Sequence, residues 1–273
     1  MPLPSAALPL ASQHILYGSS PVGSRGEALK TNVMAVIKII GSGSSGNGYV
    51  IECKDESLVL ELGMPYEDYV KNTDFGKISA CLVSHKHGDH FREKVAKKLD
   101  KMGIPVFGCK DVHDSCTGRN NPVKVIQKGK VNFLGGFVVQ AIPLLHSVEN
   151  FGWLIKHPEF GRMVFATDTS SFKYRLKNIN HWLIECNYDP DIVIDTKLSG
   201  ETVRSNYGDH LSKQQCFEVL KENYGAFTES ITLIHLSDGN SNAAEFESEL
   251  KTLLGYDRVY VAGLTKEVQT IQI

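Results

Sequence analysis

The sequence has no run of 18 or more apolar residues, so it contains no segment long enough to cross a lipid bilayer as a helix. Its six cysteines include no CxxC pair, and they are scattered through 273 residues rather than spaced as a disulfide framework. Neither sign of charge is in excess: 29 Lys and Arg residues nearly balance 31 Asp and Glu residues, and the net charge is −2. These features argue against a membrane-spanning protein, a disulfide scaffold and a strongly basic nucleic-acid coat protein, and they favour a cytoplasmic globular protein.

Residues 1–33 differ from the rest of the chain. They are rich in Pro, Ser, Gly and Ala and show neither the helical nor the strand period. The segment Leu8–Ser12 weakly suggests an export signal, but prolines interrupt its apolar run and no Lys or Arg precedes it. We interpret residues 1–33 as a disordered leader or extension and residues 34–273 as a single domain.

From Met34 onward, apolar segments with strand character alternate with polar turns, and helical spacing is confined to a few segments. The pattern predicts two β-rich halves, each followed by helices, with two sheets in the core and helices outside. Strands are predicted at Val33–Ile40, Tyr49–Cys53, Ser57–Leu62, Ser79–Ser84, Val123–Gln127, Lys130–Phe133, Phe137–Ile142, Gly152–Lys156, Arg162–Ala166, Trp182–Glu185, Ile192–Ile194, Ile231–His235 and Arg258–Ala262, and helices at Phe91–Met102, Ser212–Tyr224 and Ala243–Leu254.

The run HKHGDH at residues 85–90 concentrates the residue types that bind metals, directly after an apolar strand. His85 and His87, two residues apart, can chelate one ion from an extended turn, while Asp89 and His90 can serve a second. Imidazole and carboxylate are ligands for Zn and, with more carboxylate, for Mn or Fe. A polar loop with chance histidines is the alternative, but three histidines within six residues are improbable when the whole chain has ten.

This run matches the HxHxDH signature, and the chain resembles the metallo-β-lactamase superfamily. The resemblance implies an α+β fold, a four-layer αββα sandwich, with a dinuclear metal site between the sheets. It also requires a later His, Asp and His, each just after a strand, and His146, Asp168 and His235 occupy such places. Taken singly, each would more often be an ordinary turn residue. By the resemblance, one metal would be held by His85, His87 and His146, the other by Asp89, His90 and His235, and both by a bridging Asp168.

Shorter motifs are similar to those of the WalJ/YycJ group, cytoplasmic bacterial and phage hydrolases regarded as DNA exonucleases. They are GSGSSGN at 41–47, IECNYD at 184–189, HLS at 210–212 and HLSDGN at 235–240, and the likeness runs from about Val36 to the C-terminus. The chain departs from the group at Glu61, usually Asp, and at Tyr188, usually His. We expect Glu61 to orient a ligand histidine, and Tyr188 can donate a hydrogen bond or stack on a base.

The resemblance implies hydrolysis of phosphodiesters in DNA, with a single-stranded substrate preferred, by a hydroxide held between two divalent metal ions. Zn is the expected ion, with Mn or Fe as alternatives. A hydrolase of small esters, lactones, thioesters or cyclic phosphates, and a non-catalytic metal-binding regulatory module, remain open; no membrane partner is expected, and the oligomeric state is not predicted. The catalytic candidates are Asp89, Asp168 and His210, and the supporting or rim candidates are Ser45, Asn47, Glu61, Glu185 and Asn187.

Two basic segments are further candidates for contact with nucleic acid, each with an ordinary structural alternative. The predicted helix after the metal motif carries Arg92, Lys94, Lys97, Lys98 and Lys101, which would form either a solvated face or a track for phosphates. The segment Phe172–Arg175 interleaves aromatic and basic residues, which suits either base stacking or the start of an amphipathic helix. His210 likewise either contacts a phosphate or simply flanks the helix that begins near Ser212.

Overall fold

The structure is a computed structural model, and it describes residues 35–193, 207–263 and 267–273. The predicted leader at 1–33 lies outside the described residues, as does the first residue of the predicted domain.

Two seven-stranded mixed sheets form the core. The first sheet has the order β14-β1-β2-β3-β4-β5-β6 and the second has the order β13-β12-β11-β10-β9-β8-β7. The first sheet comprises β1 (Val36–Gly41), β2 (Gly48–Glu52), β3 (Ser57–Leu60), β4 (Ile78–Val83), β5 (Val106–Gly108), β6 (Val123–Val125) and β14 (Gln269–Gln272). The second comprises β7 (Val131–Leu134), β8 (Phe137–Leu144), β9 (Asn150–His157), β10 (Gly161–Ala166), β11 (His181–Glu185), β12 (Ser230–Ile234) and β13 (Val259–Val261).

The helices pack outside the sheets, and the predicted α+β, four-layer αββα sandwich is confirmed. Ser212 caps one helix with a capping box, in which its hydroxyl accepts from the Gln215 N–H and the Gln215 side chain accepts from the Ser212 N–H. Gly255 ends another in the left-handed conformation that glycine adopts most easily. The helices are α1 (Tyr66–Asn72), α2 (Glu93–Lys101), α3 (Lys110–Ser115), α4 (Lys213–Asn223) and α5 (Ala243–Leu254), with short 3₁₀ turns at Phe75–Lys77 and Tyr207–Asp209. None of these helices is long and apolar enough to span a membrane.

Aromatic side chains fill the space between the sheets. Tyr49 on β2 and Phe165 on β10 meet edge to face with ring centroids 5.3 Å apart, and both are buried. Such a pair contributes about 0.5–1.5 kcal/mol beyond the burial of its area. Trp153, on the second sheet, is fully buried in the same cluster, whereas the fully buried Trp182 packs against Phe172.

The predicted strand at Ile192–Ile194 is wrong for the residues that can be described, because residues 190–193 are helical and residue 194 lies outside the described part. The reason is local. Asp189 caps the turn by accepting from the Asp191 N–H at 2.9 Å, and Pro190 follows it, where its fixed φ and missing N–H suit a first helical position. The apolar residues after this Asp-Pro pair therefore continue a helical turn rather than a strand.

Parallel strands bring the chemically important chain segments to one edge. In the second sheet, β10, β11 and β12 run parallel, with Ala166 beside Ile184 and Ile184 beside Leu233. The residues that follow these strands therefore emerge side by side. In the first sheet, β3 and β4 are also parallel, so Glu61 and the run at 85–90 leave that sheet together.

Candidate metal centre

Seven sequence-predicted side chains converge where the carboxyl ends of strands in both sheets meet. The first four follow β4, and each of the others follows a strand of the second sheet. They form three overlapping groups of potential ligand atoms in which all members lie within 4.8 Å of one another. These groups are His85 with His87 and His146, Asp89 with His90 and His235, and His85 with His90 and Asp168.

The first group consists of three imidazoles. His87 Nδ1 lies 3.0 Å from His85 Nε2 and 3.1 Å from His146 Nε2, so three ring nitrogens face one point. The remaining nitrogen of His85 lies 2.9 Å from the Ser84 hydroxyl, and that of His146 lies 3.3 Å from the Asp209 carbonyl oxygen. Such outer contacts fix the orientation of ligand histidines in metal sites.

The second group joins a carboxylate with two buried imidazoles. Asp89 Oδ2 lies 3.2 Å from His90 Nε2 and 3.4 Å from His235 Nε2. The backbone N–H of His235 donates to the Ser42 hydroxyl at 2.8 Å, and Ser42 also accepts from the Tyr49 hydroxyl. The loop between β1 and β2 therefore helps to position a side chain that is 193 residues away in the sequence.

Asp168 lies between the two groups. One carboxylate oxygen is 2.6 Å from His90 Nε2 and 3.3 Å from His85 Nε2, and the other is 3.2 Å from His235 Nδ1. A single carboxylate thus contacts imidazoles of both groups, which is the position that a bridging ligand requires. Its side chain is only 3% exposed.

Glu61 and Asn47 support the second group from within the first sheet. Glu61 is fully buried, accepts from the Ser84 N–H through both carboxylate oxygens at 3.3 Å, and lies 3.5 Å from His90 Nδ1. Asn47, also fully buried, donates to the Asp89 carbonyl and lies 3.0 Å from His90 Nε2. Glu61 is therefore placed to orient a histidine even though its side chain is one carbon longer than aspartate.

Glu185, His210 and Asn187 surround the second group from the other sheet. Glu185 is fully buried; one oxygen lies 2.5 Å from His210 Nδ1, and the other accepts from the Thr169 and Leu211 N–H groups. Asn187 donates to the His235 carbonyl at 2.8 Å. His210 stacks on the His235 ring at 5.5 Å and retains 18% of its side chain exposed, so it lies at the edge of the cluster.

The electrostatics of the cluster are those of packed acids and bases. Burial opposes the charged form of His90, yet the Asp168 carboxylate raises the pKa of His90 well above its usual value. In the same way, against the effect of burial, Asp168 raises the pKa of His235 to about 9, and the Asp168 and Glu185 carboxylates raise that of His210 to about 10. His85 shows the opposite shift: burial and the neighbouring His90 lower its pKa well below the usual value. Carboxylates thus hold protons on nearby imidazoles, and a bound cation would compete with those protons.

Backbone conformation is unusual at three of these positions. Among the described residues, positive φ in a non-glycine residue occurs at Glu61, Asp168, Asn178 and His235, with values between 51° and 65°. Each costs free energy, on the order of 1–3 kcal/mol for a residue held in a sparsely populated region. Three of the four positions belong to the cluster, so the fold holds strained backbone at the point where the candidate ligands meet.

The donor set fits divalent cations. Three imidazole nitrogens that face one point cannot all satisfy one another by hydrogen bonds without extra protons, whereas a cation accepts all three lone pairs. Asp168 Oδ1 and His90 Nδ1 are buried and lack a well-formed hydrogen bond among the described residues. The mixture of imidazole and carboxylate ligands suits Zn, Mn or Fe.

Not every rim candidate reaches the cluster. Ser45 is exposed on its turn, whereas Asn47 is the residue of that loop that contacts His90. Residues 171–177 form no helix, so the amphipathic-helix interpretation is wrong; the chain has no regular secondary structure there, and the Tyr174 hydroxyl donates to the Pro143 carbonyl. Phe172 is buried against Trp182 and is unavailable for stacking on a base.

The basic face of α2 is partly neutralised. Lys97 pairs with Glu93 and donates to the Thr117 carbonyl, and Lys98 pairs with Glu67 while lying 4.0 Å above the Tyr66 ring. A phosphate track on this face remains a prediction.

Three residues that matter here are not among the predicted site residues, although Ser42 belongs to the motif at 41–47. The Gly63 backbone lies so close to the run at 85–90 that a Cβ at this position would be 1.7 Å from the Asp89 carbonyl oxygen. Asn150, at the start of β9, donates to the Thr167 and Asp168 carbonyls and supports the positive φ of Asp168. Ser42 links Tyr49 to His235. Asn150 could have been found as a polar residue at a strand end. The roles of Gly63 and Ser42 come from contacts with residues far away in the sequence.

The metallo-β-lactamase fold expected from the HxHxDH run is confirmed by solved structures. YhfI from Bacillus subtilis, a protein of this fold, aligns with a TM-score of 0.67 and 18% identity over 87% of this chain and 100% of its own. A metallo hydrolase from the hyperthermophilic archaeon Ignicoccus hospitalis aligns with a TM-score of 0.62 and 16% identity over 87% of this chain and 99% of its own. At these identities the likeness establishes the fold.

Among curated proteins, the chain is similar to the exodeoxyribonuclease WalJ of Streptococcus pneumoniae. The two are 24% identical over 229 residues, which cover 74% of this chain and 82% of the relative. No family model matches the chain. This relative belongs to the group that the short motifs at 41–47, 184–189 and 235–240 indicated.

Proposed function

We propose that this protein is a metal-dependent hydrolase of phosphodiester bonds and that single-stranded DNA is its preferred substrate, cleaved from an end in the cytoplasm. The observation that carries the proposal is the position of Asp168, whose two carboxylate oxygens contact imidazoles of both donor groups. The similarity to an exodeoxyribonuclease supports the choice of DNA.

In this proposal, His85, His87 and His146 hold one cation, Asp89, His90 and His235 hold the other, and Asp168 contacts both. When bound, two such ions supply Lewis acidity, a more acidic water and neutralisation of phosphate charge. The chain's contribution is position. Asp168 sets the spacing of the two groups, Glu61 orients His90 from its Nδ1 side, and Asn47 holds the Asp89 backbone.

His210 is the residue best placed to act on the substrate directly. Its ring is partly exposed, 5.9 Å from that of His146 and 5.5 Å from that of His235, and Glu185 holds its Nδ1 at 2.5 Å. With Nδ1 engaged, the other ring nitrogen remains to donate a hydrogen bond to a phosphate oxygen or a proton to the leaving oxygen. Glu185 is then a positioning residue for both His210 and His235.

Digestion of end-labelled single- and double-stranded DNA and RNA by the metal-loaded protein tests the proposal, beside Asp168→Ala and Asp168→Asn. Asparagine has nearly the shape of aspartate and tolerates positive φ, so Asp168→Asn removes the charge with the least backbone strain. Asp114→Ala, at an exposed carboxylate on α3, is the surface control. We expect both Asp168 variants to remain folded and to lose at least about 100-fold in rate, as is common when an essential electrostatic group is removed.

Three outcomes would contradict parts of the proposal. Substantial nuclease activity in both Asp168 variants would reject the role of this carboxylate. Cleavage of bis(p-nitrophenyl) phosphate or of small esters without cleavage of DNA would replace the nucleic-acid substrate by a small molecule. Tight metal binding without hydrolysis of any ester would identify a non-catalytic binding module.

A further inference from the structure

A second group of potential metal ligands lies at the opposite end of the sandwich. Cys53 follows β2, His157 ends β9, and Glu159 lies in the turn between β9 and β10; their ligand atoms all lie within 4.8 Å of one another. Asn150, at the other end of β9, contacts the Asp168 backbone. His157 lies seven positions after Asn150 along an extended strand, a distance of about 23 Å, so the second group is separate from the candidate metal centre.

The hydrogen bonds fix the tautomer of His157. The backbone N–H of Glu159 donates to His157 Nδ1 at 3.2 Å, so that nitrogen carries a lone pair. The proton is therefore on Nε2, which lies 3.3 Å from Glu56 Oε1 and donates to that carboxylate. Cys53 Sγ lies 3.3 Å from the same Nδ1. The Nδ1 lone pair thus faces the thiol and accepts the Glu159 N–H, a hydrogen bond that a cation at Nδ1 would replace. The other ring N–H rests on a carboxylate, as is usual for ligand histidines.

The surroundings hold this arrangement in place. Cys53 and His157 are 3% and 5% exposed, and Glu56 is fixed by hydrogen bonds from the Ser79 hydroxyl and the Gly136 N–H. A Cβ at Gly136 would lie 2.3 Å from the Glu56 carboxylate, so glycine leaves the space that this carboxylate occupies. Glu159 is exposed and provides the side from which an ion can enter.

Charge at this site also favours a cation. Burial, together with Glu159, Glu56 and Glu52, raises the pKa of the Cys53 thiol to about 12. The thiol of the metal-free protein is therefore protonated and unsuited to act as a nucleophile. The same carboxylates attract a divalent ion, and its binding to sulfur would release the thiol proton to solvent.

We propose that Cys53, His157 and Glu159 bind a thiophilic divalent cation such as Zn²⁺, with Glu56 orienting the histidine. In tetrahedral zinc sites, Zn–S and Zn–N bonds of about 2.3 and 2.0 Å separate the sulfur and nitrogen by about 3.5 Å, close to the 3.3 Å between Sγ and Nδ1. Three protein ligands leave a fourth position for water. Because Cys53 follows β2 of the first sheet, whereas His157 ends β9 of the second sheet and Glu159 follows it, the ion would link the two sheets at the end remote from the catalytic candidates.

Titration with Cd²⁺ and Co²⁺, followed by ultraviolet thiolate-to-metal absorption, tests this site without any activity assay. The candidate metal centre offers only imidazole and carboxylate, so a thiolate band reports on a cysteine. We expect the wild-type protein to develop this band to one equivalent per chain. Cys53→Ser should abolish it. Glu159→Gln, at an exposed position where the amide oxygen can still accept the Lys54 N–H, should weaken the affinity at least about 10-fold. Asp168→Asn should leave it unchanged.

Cys116→Ser is the matched control, because Cys116 is the one cysteine that is not fully buried. It should retain the full band. Cd²⁺ should also raise the unfolding midpoint of the wild-type protein and of Cys116→Ser by more than that of Cys53→Ser, which keeps only the ligands of the candidate metal centre. Absence of a thiolate band in the wild-type protein, or an undiminished band in Cys53→Ser, would overturn the proposal. If Cys53→Ser fails to fold, an unchanged affinity in Glu159→Gln would overturn it equally.

Discussion

Replacing Gly63 with alanine would test whether the close contact between Gly63, which follows β3, and the run at 85–90 positions Asp89. A Cβ at this position would lie 1.7 Å from the Asp89 carbonyl oxygen and 2.8 Å from the Asn47 backbone nitrogen, whereas real Cβ contacts essentially never fall below 3.0 Å. The two backbones must therefore separate by more than about 1 Å. That movement breaks the hydrogen bond from the Asn47 N–H to the Asp89 carbonyl, which is 2.7 Å long.

The expected effect has two parts. Overpacking should lower the free energy of unfolding by about 1–3 kcal/mol. Displacement of Asp89 by about 1 Å should reduce hydrolysis about 100-fold, because a positioning error of this size commonly has that effect. Chemical denaturation measures the first part, and turnover of bis(p-nitrophenyl) phosphate with metal stoichiometry measures the second.

Gly88→Ala is the matched control. Gly88 lies in the HxHxDH run itself, but a Cβ there would meet no atom within 4 Å. We expect wild-type stability, metal content and turnover. If Gly63→Ala behaves like the wild-type protein, or if Gly88→Ala is impaired to the same degree, the close contact is not what positions Asp89.

Two further substitutions test the support of the cluster and its pH dependence. Glu61→Gln keeps the shape of the side chain but removes its charge beside His90, and it should weaken metal binding about 10- to 100-fold in a chelator competition; affinity within twofold of the wild type would refute this role. His181 is buried, and burial lowers its pKa from 6.5 to about 4, so the unfolded chain binds its proton first as the pH falls. Stability from neutral His181 is therefore complete above about pH 6.5 and is lost towards pH 4, with about 2 kcal/mol lost between pH 7 and 5. His181→Gln should lack this part of the acid destabilisation in denaturant titrations of the metal-free protein, and an identical pH slope in both proteins would contradict the argument.

The sequence predicted most strands because their apolar residues are buried between the sheets and their ends are polar. The elements that the sequence did not predict are short: α1, β5, α3 and β14 have between three and seven residues each, too few to show a clear hydrophobic period. The β-branched residues of Ile192–Ile194 predict a strand, but the preceding Asp189-Pro190 pair starts a helical turn. The strand preference of β-branched residues is overridden when a preceding residue caps a helical turn.

The candidate site was predictable to the extent that its residues follow strands. His146, Asp168 and His235 could be assigned because each ends an apolar segment and their order matched a known pattern. What the sequence could not provide was the contact between sheets. The distance from Glu61 to His90, the approach of Gly63 and the positive φ of Asp168 depend on how the two sheets meet, which no local pattern encodes.

The candidate ligand residues that meet in the cluster are synthesised at different times during translation. His85 and His235 are 150 positions apart in the sequence. At about 5–20 residues per second, a ribosome would expose the first histidines on the order of 10 s before the last strand of the site exists. During that interval the run at 85–90 can bind ions only as an open peptide, and any such binding to unfolded chain subtracts from the stabilisation that metal gives the finished protein. High metal affinity at the proposed centre would therefore arise only when the second sheet closes onto the first.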